Sequence, residues 1–186
     1  MQKADEAEKI SAGRSCRREE EMAILQVRTV GDEVLEKKCK EVKKMTPSLS
    51  RLIDDMFETM YAEGGVGLAA PQVGVLRRII VIDVGEERGA EQYAMVNPVI
   101  VEQSGSQTGR EGCLSYPGKY GDVTRPERVV VEGLDRDMQP VRVEAEGLLA
   151  RAFCHETDHL EGRMYMELVE GELHDARYED DEEYED

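Results

Sequence analysis

At 186 residues the chain has room for one globular domain and no second sizeable one. Its 41 Asp and Glu against 24 Lys and Arg leave a formal charge of −17, which repels polyanions and argues against direct nucleic-acid binding. No stretch approaches the roughly 18 uninterrupted apolar residues of a membrane span. The N-terminal MQKADEAEKISAGRSCRREEE has no apolar signal segment and too much Glu for a transit peptide. The expectation is a cytoplasmic protein without a membrane anchor.

Residues 1–22 are polar and lack an apolar stripe, so they read as a flexible or loosely helical N-terminal extension. A single domain is expected over 23–166. Within it, Leu49, Leu52, Ile53, Met56, Met60 and Tyr61 recur at three- and four-residue steps after the cap candidates Ser48 and Ser50, predicting a helix from about 48 to 63. The Gly-rich GGVGLAAPQVG ends that helix. A dense β-branched run, RRIIVIDV (77–84), then predicts a strand, as do QYAMVNPVIVE (92–102) and PERVVVEGL (126–134). MQPVRVEAE (138–146) alternates apolar and polar residues and pairs naturally with the preceding run as a hairpin. GLLARAFCHETDHLEG (147–162) reads as a helix with Leu148, Leu149, Ala152, Phe153 and Leu160 inward and Gly162 at its C-terminal cap. Residues 167–186, with eleven acids and one Arg, form an acidic tail expected to be solvated and disordered. Strands that mostly precede one strong helix give an α+β class: mostly antiparallel sheets packed around a C-terminal helix.

That helix carries H-E-x-x-H as His155-Glu156-Thr157-Asp158-His159. The two imidazoles lie about 40° apart on the wheel, one turn along the same face, so both can reach one metal ion. With three histidines in the chain, chance produces the motif about once in 150 such sequences. A catalytic site of this type takes three protein ligands and keeps a position for water or substrate. Cys113, in the turn-like EGCLS, is the favoured third donor, because a nearby cation keeps a thiol deprotonated at neutral pH. His174 lies well beyond the helix, Cys154 points about 100° away from His155, and Cys16 and Cys39 sit among charges. Reduced thiols are expected, not a disulfide framework. Glu156 borders the pocket without binding the ion, and its natural role is proton transfer. Arg151 and Asp158 fall close to the imidazoles, where an ion pair or a contact to a ligand is open to them.

Gly65-Val66-Gly67-Leu68-Ala69-Ala70 satisfies the G-x-G-x-x-A dinucleotide pattern, with Asp83 as a ribose acid. The order is inverted, however: a helix precedes the glycines and a strand follows. The glycines instead suit close approach of a bound chain.

Three segments together, GVGLAAPQ (65–72), EGCLS (111–115) and HETDH (155–159), resemble the peptide deformylase family, over roughly residues 25–166 and including VGDEVL (30–35). The resemblance implies metal ligands Cys113, His155 and His159, and Glu156 as general acid/base. It implies oxyanion donors from the Gln72 side chain and the Leu114 backbone N–H, and a substrate groove lined by Gly65, Val66 and Gly67. It further implies hydrolysis of the N-formyl group from the first methionine of nascent chains at the ribosome, one divalent ion, and a monomer. That ion is Fe(II) in the cell, with Zn(II), Ni(II) or Co(II) in purified samples. An Arg125–Glu111 pair steadying the Cys113 loop belongs to the same expectation. Cys154, where the family often shows Gln, and Tyr120, at an often basic position, depart from its pattern.

Two other readings use the same residues. H-E-x-x-H also marks peptidases that cut internal bonds, although those usually take a third His or Glu downstream. A non-catalytic, metal-stabilised binding module would close the coordination sphere with four protein ligands.

Overall fold

The computed structural model describes residues 22–85, 89 and 91–176. The N-terminal extension with Cys16, and the YEDDEEYED end of the tail, lie outside the described residues. Among those described, no helix is long and apolar enough to cross a membrane.

Helix α1 spans Pro47–Ala62. Its cap is Thr46, whose side chain accepts the Leu49 N–H at 3.2 Å, in place of the expected Ser48 or Ser50. Pro47 fits the first helical position because its missing N–H would have had no partner there. A five-stranded antiparallel sheet follows, in the order β1 (Gly67–Ala69), β2 (Ile79–Asp83), β3 (Gln92–Ser104), β6 (Arg128–Leu134), β7 (Pro140–Glu146). The hairpin expected at 126–146 is β6–β7, with Val131 opposite Val143. Asp135 closes its turn by accepting the N–H groups of Asp137 and Gln139.

Strand β2 explains its own unbroken apolar sequence. Ile80 and Ile82 join Val129, Val131, Phe153 and Leu160 in one core, while Ile79 and Val81 join Ile53, Met56, Met60 and Leu68 in the other. A strand covered on both faces has no solvent side on which to place polar residues. The sheet is thus sandwiched between α1 and helix α2, Gly147–Leu160.

Helix α2 ends at Leu160. Glu161 is its cap, and Gly162 follows with φ +74°, the left-handed conformation that closes many helices. One side chain departs from expectation: Leu148 is 53% exposed and lines a surface cleft, although Leu149, Ala152, Phe153 and Leu160 pack inward or are buried. It shares a helix face with Arg151, Ala152 and His155, which line the same cleft.

The segment around Cys113 is a hairpin, β4 (Gln107–Cys113) and β5 (Tyr116–Arg125), with EGCLS at its tip. Its strands are rich in Gly and charge, so neither reads as a strand in isolation. The short strand β8 (His174–Asp175) completes this three-stranded sheet beside β5, and Val169 forms a bridge to Val123. The folded chain therefore continues past the expected boundary at 166.

Candidate metal centre and active site

Alternation along β4 prepares the site. Gln107, Gly109, Glu111 and Cys113 point one way, toward α2, while Thr108, Arg110 and Gly112 are exposed. From α2, His155 and His159 face the same space one turn apart, with ring centroids separated by 4.9 Å. The ligand atoms of Cys113, His155 and His159 all lie within 4.8 Å of one another, and Cys113 Sγ sits 3.3 Å from His159 Nε2. A soft thiolate with two imidazoles suits a first-row divalent ion.

Glu111 orients one of these ligands. It accepts from Arg125 Nε (2.9 Å) and Nη2 (3.0 Å) and from Arg151 Nη1 (2.8 Å), and it meets His155 Nδ1 at 3.0 Å. An ionised carboxylate only accepts, so Nδ1 carries the proton that meets Glu111 and the other ring nitrogen is the one left for a metal. Burial alone would raise the Glu111 carboxyl, but the hydrogen bonds from His155 and Arg125 outweigh it and hold the group at about 2. Arg125 also donates to Asp158 at 2.6 Å. His159 is almost fully buried, and burial holds its imidazole well below the usual range, in the neutral form that ligates.

Glu156 is 4% exposed, and its Oε2 has no hydrogen-bond partner. Burial pushes its carboxyl up to about 7, near the optimum for moving protons at neutral pH. Gln72 lies in a 3-10 turn (Ala70–Val73) after β1. Its Oε1 accepts the Ala69 N–H at 2.8 Å, which turns Nε2 toward Ser115 Oγ (3.1 Å) and Cys113 Sγ (3.4 Å).

These groups open onto a cleft of about 540 Å³ lined by Gly65, Val66, Gly67, Gln72, Cys113, Leu114, His155 and Glu156, among others. Gly65 abuts the Leu114 side chain, where a β-carbon would come within 2.8 Å of Cδ1. All nine residues singled out in the sequence thus gather at one place, with His159 on the buried side. Tyr120 lines the same cleft and stacks on His174, with ring centroids 5.3 Å apart. Three other candidates lie outside it. Cys39 and Cys154 are raised to about 11 by burial, and Asp83 accepts from the Tyr61 hydroxyl at 2.6 Å. The contact of Glu111 with His155 was missed in the sequence. Reading β4 as a strand would have found it, because Glu111 and Cys113 are two residues apart and share a face.

A thiolate at a hairpin tip, two imidazoles one helical turn apart and a buried carboxylate between them define a metal-dependent hydrolase. The model of the polypeptide deformylase family matches residues 24–173. Peptide deformylases of Lachnoclostridium phytofermentans and Agathobacter rectalis are each 56% identical, over 164 and 162 residues, covering 88% and 87% of this chain and all of the relatives. A crystal structure of the Legionella pneumophila enzyme superposes with a TM-score of 0.77 at 45% identity, covering 80% of this chain and 87% of that one. The Thermotoga maritima enzyme gives 0.76 at 39%, covering 80% and 99%. The chain belongs to the polypeptide deformylase family. It is a metal-dependent peptide deformylase, and it acts on nascent formylmethionyl peptides, releasing formate from their N-termini.

Proposed function

We propose that Cys113, His155 and His159 hold a single divalent ion, and that the residues around it divide the deformylation between them. The observation that carries this reading is the convergence of the three ligand atoms within 4.8 Å beside a buried carboxylate oxygen without a partner. When bound, the ion supplies a Lewis acid that makes water nucleophilic near neutral pH and polarises the formyl oxygen. Glu156 takes the proton of the attacking water on a carboxylate oxygen and returns it to the α-amino group as the C–N bond breaks. Gln72 Nε2 and the Leu114 backbone N–H donate to the oxygen on which negative charge develops. Gly65, Val66 and Gly67 form one wall of the cleft, where the absence of side chains at two of the three positions lets the backbone of a peptide approach.

Fe(II) is the proposed ion in the cell, with Zn(II), Ni(II) or Co(II) able to occupy the same donors in purified protein, since thiolate and imidazole accept several first-row ions. The proposed setting is the cytoplasm, with a monomer acting on chains emerging from the ribosome and making no direct contact with nucleic acid. The charge of −17 supports the last point.

The test is formate release from formyl-Met peptides by anaerobically purified protein of known metal content, beside an unformylated peptide with cleavable internal bonds. Formate release proportional to metal, with the second peptide intact, is expected. Cleavage of the internal bonds would instead support the peptidase reading, and a metal-loaded protein inert to both would support the binding module.

A further inference from the structure

The two elements that carry the ligands are different kinds of structure from distant parts of the chain. Cys113 ends β4, and His155 and His159 lie on α2. A metal site tolerates only a few tenths of an ångström in ligand position, so something must set the spacing between hairpin and helix. Arg151 lies one turn before His155 on α2, is 8% exposed, and reaches across that gap. Its Nη1 donates to Glu111 Oε1 (2.8 Å), to the Val123 carbonyl (2.9 Å) and to the Gly109 carbonyl (3.3 Å), and its Nη2 donates to the Gln107 carbonyl (3.2 Å). One guanidinium thus binds both strands of the hairpin and the carboxylate that holds His155.

We propose that Arg151 is a positioning residue for the metal centre, acting through Glu111 and through the hairpin backbone to hold Cys113 and His155 at ligating separation. Arg125 makes a second bridge that runs the other way: from β5 it grips Glu111 and donates to Asp158 on α2, whereas Arg151 starts on α2 and reaches the backbone of both hairpin strands as well as Glu111. A planar donor fork satisfies several acceptors at fixed mutual angles, which neither a Lys ammonium nor a neutral amide can reproduce. Arg151 also contributes to the wall of the substrate cleft. Replacing it by Met keeps an unbranched stem there while removing every donor.

The inference rests on the proposed ligand set, so the test carries a control for that set. Metal-free wild type, Arg151→Met, Arg151→Gln and Cys113→Ser are titrated with Co(II), read by the thiolate charge-transfer and visible bands, with circular dichroism checking the fold. Arg151→Met is expected to bind Co(II) about 10- to 100-fold more weakly, with altered visible bands at saturation. Arg151→Gln, which keeps one amide donor, is expected to weaken binding as well and decides the matter if the Met variant does not fold. Wild-type affinity and spectrum in a folded Arg151 variant, with Cys113→Ser devoid of the thiolate band, would overturn the role of Arg151 alone. A Cys113→Ser variant that retains the band would overturn the ligand set and the proposal with it.

Discussion

Gly67 on β1 and Glu156 on α2 pack so closely that a β-carbon on Gly67 would lie 2.3 Å from Glu156 Oε1 and 2.9 Å from Cδ. The carboxylate occupies the space that a side chain would take. Glycine at this position is therefore required by the catalytic group as well as by the approach of a peptide.

Gly67→Ala should push the Glu156 carboxylate out of place and lower kcat by about 10²-fold or more, the scale of a misplaced general acid/base. Metal content should stay at the wild-type level, because neither residue belongs to the ligand set. Glu156→Gln, which keeps the shape and loses the proton carrier, should show the same pattern with a larger loss. Formate release and elemental analysis on each variant measure both quantities, and wild-type turnover in Glu156→Gln would remove the acid/base role.

Gln72→Ala removes a donor whose direction is set by the Ala69 N–H. The expected loss is on the order of 10²–10³ in kcat with the metal retained, as for other single oxyanion donors. Undiminished turnover would count against an oxyanion contact.

Chelation should abolish formate release, and Fe(II), Ni(II) or Co(II) should each restore it. Cys113→Ala should lose both metal and activity. Full occupancy by elemental analysis in that variant would point to a different third ligand.

Cys39 and Cys154 should resist alkylation near pH 7 in the native protein, since burial raises both thiols to about 11 and leaves little thiolate. Peptide mapping by mass spectrometry after iodoacetamide treatment, native and unfolded, reads this directly. Rapid native labelling of Cys154 would show that α2 opens easily.

Glu161, just past α2, accepts from Arg78 at 2.5 Å and is held below its usual carboxylate range chiefly by that hydrogen bond. A carboxylate with a depressed folded-state value contributes stability above its unfolded value, and the contribution is lost as pH falls through the folded one. The melting midpoint of wild type should exceed that of Glu161→Gln at pH 7, and the gap should close as pH drops below about 4.5. Added salt should narrow it, because the pair is partly exposed. A gap that persists unchanged at pH 3 would mean that packing, not charge, separates the two proteins.

Local sequence determined a good part of this protein. The unbroken Ile and Val of β2, the three- and four-residue steps of α1 and the i, i+4 histidines of α2 each encode their element within a few residues, and the spacing within H-E-x-x-H places two ligands without reference to the rest of the chain. Tertiary structure alone decided that Gln107–Cys113 and Tyr116–Arg125 are strands, since their Gly-rich, charged sequences become extended by pairing with each other and by carbonyls that accept from Arg151. It likewise decided that Glu111 orients His155, that Glu156 fills the space beside Gly67, and that Leu148 faces the cleft. Periodicity reports which side of an element is apolar, whereas a charged group becomes a buried partner only when residues tens of positions away in the chain are brought within about 3 Å of it.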